Sequence, residues 1–156
     1  MTLRFRIVGN IPSKKNDFIA GNNYRAIRHF AFASRDPKKY LDDNLKAHMV
    51  GSRTYLNWLV DMNDDFMKQA EFWRLKYNLT FPLDTVSINT CYFFANDYHT
   101  DIINKDESIF DMLVSKKIIA DDNYSILIKT SAEAYNMKGE LPKSICVIDL
   151  TYYFKP

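Results

Sequence analysis

"TVSINTCYFFANDYHTDIINKDESIFDMLVSKKIIADDNYSILIKTSAEAYN", residues 85–136, decides the fold. Its opening, "TVSINTCYFFA", has the β-branched and aromatic content of a strand, and Pro82 just before it marks the start. A helix is expected from about Asn104 to Ser115, after which "YSILIKTSAEAYN" returns to strand composition. Working outward, "SICVIDLTYYF" reads as a further strand, joined through the turn signal "MKGELP". On the other side, Leu3, Phe5 and Ile7 alternate with polar neighbours in "LRFRIV", a half-buried strand that Gly9 and Pro12 end in the loop "GNIPSKKNDFIAGNN". The stretch from Asp36 to Leu75 is read as mainly helical: Trp58, Val60 or Met62, Phe66 and Phe72 or Trp73 recur at helical spacing, as core or as a dimer surface. Gly51 divides it into two helices or a helix preceded by an insertion. This order of elements predicts a single α+β domain over residues 1–156, with helices packed on a mixed β-sheet.

Composition narrows the classes. With 156 residues, 47% of them hydrophobic, the chain can bury one real core and not two. Only four glycines and five prolines, with no repeat or low-complexity tract, argue against disorder and solenoids. Twenty-one basic against 19 acidic residues leave a formal charge of +2, so any basic surface must be local. No apolar run nears the roughly 20 residues of a membrane span, and "MTLRFRIVGNIP" alternates where a signal peptide would be continuously apolar. A cytoplasmic protein without a membrane partner is expected. Cys91 and Cys146 lie in strand-like runs without C-x-x-C spacing and read as buried thiols.

The charge of the central stretch calls for an explanation, since residues 99–124 gather six carboxylates among apolar side chains. Asp101 precedes the helix, and Asn104, Glu107 and Asp111 follow at i, i+3 and i+7 on one helical face. Asp121 and Asp122 arrive at the start of the next strand; if that strand pairs near the one ending at Asp97, they come back beside Asp101. Like charges drawn together raise each other's pKa and need neutralising. Carboxylate oxygens completed by water suit Mg²⁺ or Mn²⁺, and no Cys/His set would suit zinc. Such a site activates water and stabilises a phosphodiester undergoing displacement. By spacing alone the same residues also read as helix caps, a solvated face and a turn at "ADDNY".

In this register the chain resembles the RusA family of Holliday-junction resolvases, small endonucleases common in phages and prophages. The family's D-x-D-N-x-x-K-x-x-x-D segment, followed ten residues on by an Asp-Asp pair, is matched at Asp101, Asn104, Asp111, Asp121 and Asp122, and "IPSKKN" at Ile11 to Asn16 looks like its P-x-S-K-K-N loop. The resemblance covers roughly residues 5–125, with a helical insertion or extension at about 29–79. It implies a homodimer that binds branched DNA and cuts four-way junctions with Mg²⁺ or Mn²⁺ in the bacterial cytoplasm. Asp101 and Asp122 would be the metal-binding, catalytic carboxylates, with Asp121 beside them and Asn104 and Asp111 in support. Two positions depart from the pattern: Ile103 replaces the second aspartate and Glu107 the lysine. Glu107 either returns the missing carboxylate, giving the catalytic set Asp101, Glu107 and Asp122, or the site is degraded and the fold only binds DNA or a host protein. Lys14, Lys15 and Asn16 on the loop, Arg25 and Arg28 after it, and Lys105 on the helix are the candidate DNA contacts, and Lys116 is a further source of positive charge near the site.

Overall fold

A computed structural model describes residues 1–12, 53–97 and 102–154. They form an α+β domain of β1 (Thr2–Val8), α1 (Arg53–Asp61), α2 (Asn63–Tyr77), β2 (Val86–Phe94), α3 (Ile102–Ser115), β3 (Leu127–Asn136) and β4 (Ile145–Tyr152). The expected helical stretch is seen as α1 and α2; its part before Arg53 lies outside the described residues. No helix among the described residues is long and apolar enough to cross a membrane.

Four strands make one mixed sheet in the order β1-β4-β2-β3. The pairs β1–β4 and β4–β2 are antiparallel and β2–β3 is parallel, because α3 carries the chain back across the sheet between them. Alternation gives the sheet one buried face. Leu3, Phe5 and Ile7 of β1, Cys146, Ile148 and Leu150 of β4, and Val86, Ile88, Thr90 and Tyr92 of β2 all point to it. The opposite face carries an Arg4–Asp149 ion pair across β1 and β4, a hydrogen bond from Ser131 to Asn89, and Phe93 stacked on Tyr135. Cys91 lies on that open face and Cys146 on the buried one, so both thiols are free.

The helices seal the buried face. Phe66 and Ala70 of α2 reach β1, with the Phe66 and Phe5 rings stacked at 4.9 Å. Each such fully buried ring contributes about 1.5–3 kcal/mol. Asp64 and Asp65 in the first turn of α2 and Arg74 and Lys76 in its last suit the helix dipole, and Asn78, at φ 51°, ends it in the left-handed conformation that asparagine tolerates. The same helix also closes an edge of the sheet. Gln69 accepts a hydrogen bond from the Arg6 amide at 2.7 Å and donates to the Arg6 carbonyl at 2.8 Å, while the Trp73 indole donates to the Arg4 carbonyl at 2.9 Å. These are peptide groups that edge strand β1 would otherwise leave without a strand partner.

Candidate functional site

Helix α3 buries Lys105, Ser108, Ile109, Met112 and Leu113, a stripe at i, i+3, i+4, i+7 and i+8. Asn104, Glu107 and Asp111 flank that stripe and are half-buried, as their spacing predicts for a single face. After α3, Lys117 turns at φ 56° and Ile119 forms a short parallel bridge with Leu83, which leads Asp121 and Asp122 to the start of β2.

The two aspartates then part company. The Asp121 carboxylate accepts the Asp122 amide at 2.7 Å and the Asn123 side-chain amide at 2.7 Å, and these bonds hold it below the usual aspartate range. Asp121 therefore builds the turn. Asp122 is shifted the other way: partial desolvation, then a hydrogen bond with Asp121, then the negative charge of Asp111 raise its pKa. Asp111 acts also on Tyr55, a buried phenol on α1 whose proton is held firmly, first by burial and then by that charge. The Tyr55 hydroxyl lies 3.5 Å from the Ser108 carbonyl. The negative charge of Asp111 is thus felt at both Asp122 and Tyr55, and Glu107 lies one turn before Asp111 on α3.

The sheet register corrects one expectation. Because β3 runs parallel to β2, Leu127 pairs with Val86, so the acidic turn enters beside the beginning of β2. Asp97, beyond the end of β2, is instead bound by Asn136 at the end of β3 and by Lys138 just after it. Asp121 and Asp122 thus do not come back beside the end of β2 that leads to Asp101. Asp111 stands nine residues into α3 from Ile102, about 14 Å along its axis. Asp101 lies outside the described residues, as do Lys14, Lys15, Asn16, Arg25 and Arg28.

A second correction concerns Lys105. It is only 3% exposed and donates to the Asn10 side chain at 3.0 Å and to the Ile11 carbonyl, with its ammonium 5.9 Å from the centre of the Phe94 ring. An ammonium so enclosed, its pKa lowered by burial, cannot lie along a DNA backbone. It instead ties the first residue of "IPSKKN" to the acidic helix, so the two separated motifs share a contact. Lys116 is likewise engaged, donating to Asn63 at 2.5 Å. Ile103, where the family has an aspartate, is 69% exposed.

Beside Lys105, Asp106 turns towards the sheet. One of its oxygens accepts both the Thr90 hydroxyl at 2.6 Å and the Tyr92 hydroxyl at 2.7 Å, and burial raises its pKa although both bonds oppose the shift. Asp106 and Tyr55 are absent from the sequence-based expectations. Position 105 on the apolar stripe signalled that this side of α3 faces inward, and Tyr55 precedes Trp58 and Met62 at helical spacing.

Among the described residues, no group of three or more His, Cys, Asp or Glu side chains is placed to hold a metal ion. No family model matches the chain, and a search of curated proteins finds no match to it.

Proposed function

We propose that the chain is a metal-dependent endodeoxyribonuclease acting on branched DNA, four-way junctions foremost, in phage-type recombination, replication and repair. What supports this reading is that the negative charge of Asp111 acts on Asp122, two acids eleven positions apart at the matched places of the resolvase-like segment. A carboxylate whose ionisation is opposed by a neighbouring negative charge, as that of Asp122 is by Asp111, gains from a divalent cation nearby. Asp111 and Asp122 are the proposed ligands, and Glu107 adds a carboxylate one turn earlier. A bound Mg²⁺ or Mn²⁺ would supply a water of lowered pKa and positive charge against a phosphate oxygen. Tyr55, kept protonated by burial and by the charge of Asp111, donates its hydroxyl to the Ser108 carbonyl of the same helix. The Lys105 tie supports the same picture, because it fixes Ile11, where "IPSKKN" begins, on α3. The preference for branched DNA and the homodimer rest on the family resemblance, and paired cuts in a two-fold junction need two equivalent sites.

The test is nicking of a synthetic four-way junction against a linear duplex of the same sequence. With Mg²⁺ or Mn²⁺ the junction should be cut, and Asp122→Asn should slow cutting at least about a hundredfold, as expected when the hold on the ion is lost. A junction left intact with both ions would remove the nuclease reading. In its place would stand a RusA-like protein that binds DNA or a host protein without cleavage, a reading favoured by the exposed isoleucine at 103 and the charge reversal at Glu107.

A further inference from the structure

The sheet has two edges, and the chain treats them differently. On β1, Gln69 and Trp73 occupy the outward peptide groups of Arg4 and Arg6. On the other edge, β3 pairs with β2 alone among the described residues. It is a ten-residue strand without proline, and every residue after Leu127 is exposed. Long edge strands left in this condition are templates for another strand.

The orientation of the peptide groups of β3 follows from one hydrogen bond. The Met137 amide donates to the Phe94 carbonyl at 2.8 Å, so by alternation the odd-numbered residues turn their peptide groups towards β2. Thr130, Ala132 and Ala134 turn theirs outward. Side chains alternate too: Lys129, Ser131, Glu133 and Tyr135 lie on the open face of the sheet, and the small Thr130, Ala132 and Ala134 on the helix side.

We propose that β3 pairs with β3 of a second copy of this chain, antiparallel about a two-fold axis at Ser131, to make one continuous sheet. In this register Lys129 of each copy stands opposite Glu133 of the other, as a non-hydrogen-bonded pair in which side chains approach most closely. Thr130 stands opposite Ala132, both with outward peptide groups, so the ladder closes. The neighbouring symmetric registers set Lys129 against Tyr135 or Ser131 and separate the charges. The strand's charge pattern is therefore self-complementary in one register only, which favours a second copy over an unrelated strand. Ile128, 52% exposed, and Tyr135, 46% exposed, lie towards the two ends of this register as apolar surface for the partner to cover. The pairing takes up the homodimer of the proposed function but rests on β3 alone.

Sedimentation of the full chain over a range of concentrations tests it, with Lys129→Glu, Glu133→Lys, the double exchange Lys129→Glu/Glu133→Lys, and Ala132→Pro. The wild type should dimerise, each single charge variant should raise the dimer dissociation constant about tenfold, and the double exchange should restore it. Ala132→Pro should be monomeric with an unchanged circular dichroism spectrum, because the amide it removes points away from β2. A wild type that stays monomeric overturns the pairing, as does a dimer indifferent to the single charge variants or singles that the double exchange fails to rescue. A monomer that still cuts junctions would sink the pairing and leave the nuclease standing; a charge-dependent dimer inert towards junctions would do the reverse.

Discussion

Asp106 shows how one residue can be costly and necessary together. Its carboxylate is pushed above the usual aspartate range by burial, yet it satisfies the hydroxyls of Thr90 and Tyr92, which are 0% and 2% exposed. Asp106→Ala leaves both donors buried without that partner and should destabilise the fold by about 2–4 kcal/mol. Asp106→Asn keeps an oxygen that accepts both and should stay within about 1 kcal/mol of wild type at neutral pH. The pH dependence separates the two effects. A raised folded-state pKa contributes stability that is complete below the ordinary value of about 4 and is lost as pH rises through the folded value. Thermal unfolding should therefore find wild type losing ground to Asp106→Asn as pH rises from about 4; a constant gap would contradict the buried, proton-favouring carboxyl. Neither Asp106 nor the enclosed Lys105 was legible in the sequence, because charged residues are ordinarily assigned to the surface. Only the position of Lys105 among Ser108, Ile109, Met112 and Leu113 indicated an inward side.

At the scale of elements, the strands were legible wherever one face is buried. β1, β2 and β4 alternate in burial as they alternate in sequence, and their expected limits agree with the observed ones within a few residues. β3 was legible as a strand from its composition, but its direction and its two exposed faces were not. Direction is set by the α3 crossover, and exposure by its place at the edge, neither of which is local. This is why the acidic turn was expected beside the end of β2 and lies beside its beginning. The aromatic residues of α1 and α2 divide as well: Phe66 is core at 1% exposed, Trp58 and Trp73 pack partly against it, and Phe72 is 55% exposed beside Trp73. Phe66→Ala should accordingly cost about 3–5 kcal/mol in denaturant unfolding, and Phe72→Ala under about 1. Equal costs would mean that α2 packs through a different face.

The described residues join a sheet with one open face, an acidic helix on its buried face, and the segment at Asn10 and Ile11 held on that helix by Lys105. The candidate site was legible in the sequence as a set of acids and became selective only in three dimensions. Of the acids in the described residues, Asp121 is taken by its turn and Asp106 faces inward, while Asp122 feels the charge of Asp111. Spacing could nominate these residues but could not show which carboxylates are already occupied by the fold. In the proposed function Asp111 and Asp122 together hold a divalent ion. Anomalous difference density from a crystal soaked in Mn²⁺ tests it most directly. The claim predicts a peak between these two carboxylates that Asp122→Asn abolishes, and a crystal with no density there would contradict it.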